Sequence, residues 1–286
     1  MGVERRRVVV KIGSSSLVDV NGGLDLLRLD AFVDQVAEAC RRGYQVLVVT
    51  SGAIATGRPA LRLPAGPIDL PDKQAAAAVG QMRLMQHYGE SFARHGLTPA
   101  QILLTRQDIA SGRKRHNIRA TIEALLAQNA IPVINENDTV GTEEIHFGDN
   151  DFLSALVAEL AEASLLVLLT DTDGLYSADP RLDPQAQLIG EVAGVTQELV
   201  TLGGASISGV GTGGMRSKIL AASRAAKAGI AACITNSARP RALLESLEGK
   251  QVGTRFLPEG GTKSPCTTHS THSTHATQAT RAVHAT

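Results

Sequence analysis

Two rhythms of apolar positions alternate along this chain. Short, nearly continuous apolar runs fall at Arg7 to Ile12, Gln45 to Val49, Gln101 to Leu104, Ile131 to Ile134, Leu165 to Leu169 and Ala231 to Thr235. Runs of that length bounded by turn residues predict strands, several of them buried on both faces. Between them the spacing becomes helical. From Asp25 to Arg42 the residues Leu26, Leu29, Phe32, Val33, Val36, Ala37 and Cys40 mark one face, and Gly43 is placed to end the helix. Further helices are predicted over about Gln74 to Phe92 (Ala-rich), Ile118 to Gln128, Phe152 to Ala161 and Met215 to Ala228. This βα alternation predicts an α/β fold with an open, mainly parallel sheet sandwiched by helices. Ligands of such sheets bind beyond the carboxyl ends of the strands, where the polar and glycine-rich clusters of this sequence fall.

No internal repeat and no linker divides Val8 from Leu257, so residues 1–260 read as one domain. After Gly260 the composition shifts to Thr, Ser, His and Ala, with almost nothing to bury. Residues 261–286 are therefore expected to form a low-complexity, disordered tail, and the histidines His269, His272, His275 and His284 in it read as solvated.

Composition narrows the function classes. With 28 basic and 28 acidic residues among 286, no long-range field favours nucleic acid or an anionic membrane. Cys40, Cys233 and Cys266 are odd in number and lack paired spacing, which argues against a disulfide framework and a zinc site. Lys11 interrupts the apolar run of Val8, Val9 and Val10 far short of a signal-peptide core, and no segment approaches the roughly 20 apolar residues needed to span a bilayer. A cytoplasmic protein is expected.

Five clusters could carry chemistry. Lys11 ends the first strand ahead of Gly13-Ser14-Ser15-Ser16, where its ammonium could reach an anion held by turn N–H groups, or could equally be an edge lysine in solvent. Gly209-Val210-Gly211-Thr212-Gly213-Gly214-Met215-Arg216-Ser217-Lys218 precedes a helix. Its glycines admit a close-lying oligophosphate, and the helix start adds about half a positive charge. A dinucleotide fingerprint is formally present there, but no acidic residue occurs between Met215 and Leu244 to hold a ribose, and the Walker pattern is absent. Asn135-Glu136-Asn137-Asp138 and Gly148-Asp149-Asn150-Asp151 offer carboxylates and amides suited to an amino acid, although each alone reads also as turn and cap chemistry. Thr170-Asp171-Thr172-Asp173-Gly174 follows the most hydrophobic strand, as a turn or a nucleotide contact.

These clusters, in this order, resemble the amino acid kinase family. Val49 to Ala55 and Ile134 to Asp138 point further, to its glutamate 5-kinase branch, and the similarity runs over about Val8 to Phe256. The resemblance implies ATP-dependent phosphorylation of the side-chain carboxylate of L-glutamate, giving glutamyl 5-phosphate for proline biosynthesis. By position it implies that Lys11 and Lys218 neutralise the transferred phosphoryl group and that Asp151 orients them. It implies substrate contacts at Ser51, Asp138 and Asn150, with Asp138 on the ammonium and the other two on carboxylate oxygens. Nucleotide contacts fall on Lys11, Thr170, Asp171, Thr212, Gly213, Gly214, Met215, Arg216, Ser217 and Lys218. Mg²⁺ would be carried mainly by ATP, with no protein metal site. Proline is a common feedback inhibitor in the family, and Thr139 to Phe147 matches the loop that senses it; a dimer or tetramer is implied by analogy. Many glutamate 5-kinases carry a C-terminal PUA domain, and where it would stand this sequence has the Thr/Ser/His tail. The rivals are a kinase of the same fold acting on acetylglutamate, aspartate, carbamate or UMP, and a non-catalytic amino acid or nucleotide sensor.

Overall fold

The computed structural model describes residues 6–19, 23–64, 66–141, 149–205 and 214–259. Its strands are β1 (Arg7–Ile12), β2 (Gln45–Thr50), β3 (Pro99–Leu104), β4 (Ile131–Glu136), β5 (Leu165–Thr170), β6 (Glu191–Val192), β7 (Ala231–Asn236) and β8 (Thr254–Phe256). The helices are α1 (Ser14–Leu17), α2 (Leu26–Arg41), α3 (Ala53–Gly57), α4 (Leu70–Ala93), α5 (Arg106–Ala110), α6 (Gly112–Ala127), α7 (Asp149–Leu160), α8 (Gln197–Leu202), α9 (Met215–Lys227) and α10 (Ala242–Leu247). In space the strands form one sheet in the order β3-β4-β2-β1-β5-β7-β8-β6. Neighbours pair in parallel, except that β8 runs antiparallel to β7.

Successive strand residues face opposite sides of a sheet, and β1 shows what this accomplishes. Val8, Val10 and Ile12 pack with Phe32 and Val36 of α2, Tyr88 and Phe92 of α4, and Leu243 of α10. Val9 joins the other core, with Ile122 of α6, Leu153 and Val157 of α7, and Ile219 and Ala222 of α9. The predicted sandwich is thus observed, with α2, α4 and α10 on one face and α6, α7 and α9 on the other. By the same alternation Lys11 belongs to the face of Val9, toward α7 and α9.

β1 lies in the middle of the sheet, with β2 on one side and β5 on the other. The chain reverses its direction of travel there, which makes the carboxyl end of β1 the topological switch point. Every predicted strand and helix is present. The strands run on to polar ends, Thr50, Glu136, Thr170 and Asn236, because ladder pairing continues one or two residues past the apolar run. Helix α6 begins at Gly112 rather than at the predicted Ile118, since the exposed Arg113 and Lys114 and the half-buried Arg115 give the sequence no apolar signal there.

α3 and α4 approach backbone to backbone. A Cβ on Gly57 would fall 1.9 Å from the Ala76 carbonyl oxygen, and one on Gly80 would fall 1.8 Å from that of Ala53. Only glycine permits that contact, which fixes α4 beneath the end of β2. Among the described residues no helix is long and apolar enough to cross a membrane.

Candidate functional site

Two linked polar groups lie at the carboxyl ends of β1, β2 and β4. The first is centred on Asp151, in the first turn of α7, where the helix dipole favours a carboxylate. Lys11 Nζ lies 2.6 Å from one Asp151 oxygen and Lys218 Nζ lies 3.3 Å from the other, with all three side chains nearly inaccessible. The Ser217 hydroxyl is 2.6 Å from the same oxygen as Lys218. Lys11 is not an edge residue: its strand is interior and its side chain is 5% exposed.

Burial by itself pushes the Asp151 carboxyl up, but the Lys11 and Lys218 ammonium groups outweigh it and hold the group below the ordinary carboxylate value. For Lys218 the balance is reversed. Burial, followed by repulsion from Lys11, lowers its pKa despite the attraction of Asp151. Two ammonium groups share the buried Asp151 carboxylate, Asp171 adds to the attraction on Lys218, and Lys218 places its charge at the positive end of α9, where the dipole disfavours it. Such an arrangement can accept an anion. The residues fit a phosphate group.

The second group is a chain of amides. Asn150 Nδ2 donates to Ser51 Oγ at 2.8 Å and to Asn135 Oδ1 at 3.0 Å. Asn135 Nδ2 donates to Gln81 Oε1 at 2.8 Å, and Gln81 Nε2 donates to Gln101 Oε1 at 3.1 Å. Ser51 follows β2 and precedes Gly52, whose φ of +101° lies in the left-handed region that glycine tolerates. Since Asn150 and Asp151 are consecutive at the start of α7, that helix joins the two groups.

Asp138 is half-buried in a single 3₁₀ turn, Asp138–Val140, just beyond β4. Gln74 of α4 donates to the Gly141 carbonyl at 2.9 Å, tying that turn to the helix. Thr170 is buried at the end of β5 and bonds the exposed Asp171 at 3.1 Å, while its carbonyl accepts from Ser237 N–H at 2.7 Å. Gly214 is the N-cap of α9 with no side-chain cap, and Met215, Arg216, Ser217 and Lys218 form the first turn. Thr212 and Gly213 lie outside the described residues, as do Thr142 to Gly148 of the two loops flagged in the sequence and residues 260–286. Among the described residues no group of three or more His, Cys, Asp or Glu is placed to hold a metal ion.

Gln81 and Gln101 were not anticipated from the sequence. A signal for Gln81 exists, because it occupies the buried stripe of α4 among Ala76, Ala77, Leu84 and Tyr88, a core position where an amide requires a partner. Nothing comparable marks Gln101, an exposed position on an edge strand.

Residues 6–236 match the amino acid kinase family. Over 255 residues, covering 89% of this chain and 68% of the relative, the sequence is 54% identical to a glutamate 5-kinase of Citrifermentans bemidjiense. A glutamate 5-kinase of Myxococcus xanthus is 49% identical over 259 residues, 91% of this chain and 68% of that protein. Among solved structures, carbamate kinase from Giardia lamblia bound to AMP-PNP shares the fold with a TM-score of 0.63 at 13% identity, covering 90% of this chain and 99% of that one. UMP kinase from Ureaplasma parvum does so with a TM-score of 0.59 at 15% identity, covering 89% and 100%.

Proposed function

The chain belongs to the amino acid kinase family and within it to the glutamate 5-kinases, and from that premise we propose that it transfers the γ-phosphoryl group of ATP to the side-chain carboxylate of L-glutamate. The observation that carries the proposal is the buried pair of ammonium groups on Asp151.

ATP supplies the phosphoryl group, and Mg²⁺ carried on its phosphate oxygens shares in neutralising their charge. The glutamate side chain needs no general base, because a carboxylate with a pKa of roughly 4.3 is already ionised at neutral pH. An oxygen of that carboxylate bonds to phosphorus as the bond to the ADP oxygen breaks, and ADP leaves with the electron pair. What remains for the protein is alignment and charge neutralisation. Lys11 and Lys218 present ammonium groups to the oxygens of the phosphoryl in flight. Asp151 holds both lysines in place, with their ammonium groups directed to the phosphoryl. Their burial strengthens the effect, since charges interact more strongly away from water.

Ser51, Asp138 and Asn150 form the glutamate pocket in this reading, with Asp138 paired to the ammonium. An acetylated amine would deprive that carboxylate of its charge partner, which favours glutamate over acetylglutamate. Thr170, Asp171 and the segment Thr212 to Lys218 hold the nucleotide. The protein acts in the cytoplasm, with proline sensed through Thr139 to Phe147 and with assembly as a dimer or tetramer.

The test is ADP release with ATP, Mg²⁺ and L-glutamate, the acyl phosphate being trapped as hydroxamate. Glutamate-dependent hydroxamate is expected, falling about 10²- to 10³-fold in Lys218→Ala. A folded protein that binds ATP and yields no hydroxamate with glutamate overturns the substrate assignment.

A further inference from the structure

The hydrogen bonds around Asn135 have a fixed polarity. The backbone N–H of Glu136 can only donate, and it points at Asn135 Oδ1 at 2.8 Å. That settles which atom of the Asn135 amide is oxygen, a choice that distances alone leave open for an isolated amide. Everything downstream follows from it. Asn135 Nδ2 must point at Gln81, so Gln81 presents Oε1 and turns its own NH₂ to Gln101. On the other side, Asn135 Oδ1 must receive a donor from Asn150, so Asn150 turns Nδ2 inward.

Both hydrogens of the Asn150 amide are then used, one on Asn135 and one on Ser51. Asn150 Oδ1 is left buried with no hydrogen-bond partner among the described residues. Ser51 Oγ, having accepted, keeps its own proton to give. Asn150 and Ser51 therefore hold one buried acceptor and one donor, whereas the resemblance alone assigned both residues to carboxylate oxygens.

Building on the glutamate reading above, we infer that Gln81 is a positioning residue: through Asn135 it locks the Asn150 amide so that Oδ1 faces the substrate ammonium, leaving the Ser51 hydroxyl for a carboxylate oxygen. Gln81 touches neither substrate nor the reacting atoms. It acts by preventing the Asn135 and Asn150 amides from turning over, an exchange that would place a second NH₂ group against the ammonium.

The experiment compares Gln81→Leu and Gln81→Glu with wild type in steady-state hydroxamate assays, varying L-glutamate and ATP separately. Leucine leaves Asn135 Nδ2 buried without an acceptor, a defect typically worth one or more powers of ten in binding. The expected result is a KM for glutamate raised about tenfold, with kcat and the KM for ATP within about twofold of wild type. Glutamate at position 81 still offers an oxygen to Asn135, and the exposed Gln101 amide can turn to donate to it. That variant is expected within about threefold of the wild-type KM. A Gln81→Leu protein with the wild-type KM for glutamate overturns the inference, as does an equal loss of kcat in both variants. Should Gln81→Leu lose its cooperative melt, Gln101→Ala replaces it. A two- to threefold rise in the KM for glutamate is then expected, and none overturns the inference. Absence of glutamate-dependent turnover in wild type would instead sink the glutamate reading itself, so the two failures are distinguishable.

Discussion

Lys218 is held where its own burial and the proximity of Lys11 disfavour its charge, and Asp151 does not fully offset this. The protonated lysine therefore costs folding free energy at neutral pH, which agrees with the proposed role in phosphoryl transfer rather than with a role in stability. Lys218→Met is expected to melt at or above the wild-type temperature while losing about 10²- to 10³-fold in kcat. A calorimetric scan beside the hydroxamate assay checks both halves, and a large drop in melting temperature would contradict the first. Asp151 has the opposite sign. Its folded pKa is lowered, so its stabilisation is present above the ordinary carboxylate value of 3.8 and is lost as pH falls through the lower folded value. Asp151→Asn is expected to flatten the acid limb of stability against pH, measured by urea unfolding between about pH 2 and 6. It should also lower activity, since the two ammonium groups would then face each other without a counter-charge.

Among the elements, α4 carries an unusual share of the site's geometry. Gln81 neighbours Gly80 in sequence, and Gly80 is where α4 meets the Ala53 carbonyl of α3, so the amide relay and the helix contact are set by adjacent residues. A methyl group at Gly80 must push the helices apart. Gly80→Ala is expected to destabilise by about 3 kcal/mol and to raise the KM for glutamate in whatever fraction remains folded. Gly89 lies on the same helix with open space around its Cβ position, and there alanine should stabilise by about 0.5–1 kcal/mol. Equilibrium urea unfolding of the two variants separates a packing effect from a helix-propensity effect, because the latter alone predicts the same sign for both. The sequence reveals the glycines but not this distinction. A glycine inside a helical pattern reads as a propensity defect, and only the approach of a second backbone, distant in the α3 segment, shows that Gly80 is required.

At the scale of the molecule, parallel order was legible because buried strands and amphipathic helices carry strong local signals. Lys11 was ambiguous for a non-local reason: whether a lysine at the end of a strand meets solvent or a buried carboxylate depends on whether that strand is interior, which is decided by β2 and β5 far along the chain. The amide relay was hidden for the same reason, joining positions as far apart as Ser51 and Asn150. β6 and β8 were missed because they are short. β8 spans only Thr254–Phe256, yet it pairs with both β7 and β6 and buries Phe256 to 1% exposure. Just beyond it, Glu259 N–H bonds the Ala226 carbonyl at the end of α9. These contacts set where the domain can be cut. A chain stopped after residue 260 keeps β8, Phe256 and the Glu259 bond, and it is expected to melt within about 2 °C of the full chain with unchanged hydroxamate kinetics. A chain stopped after Lys250 loses β8 and the Phe256 side chain, whose burial alone is worth about 3 kcal/mol, and exposes the outer edge of β7. It is expected to be insoluble or to unfold without a cooperative transition. Equal stability of the two truncated chains would show that β8 contributes nothing to the core, whereas instability of the longer one would move the domain boundary past residue 260.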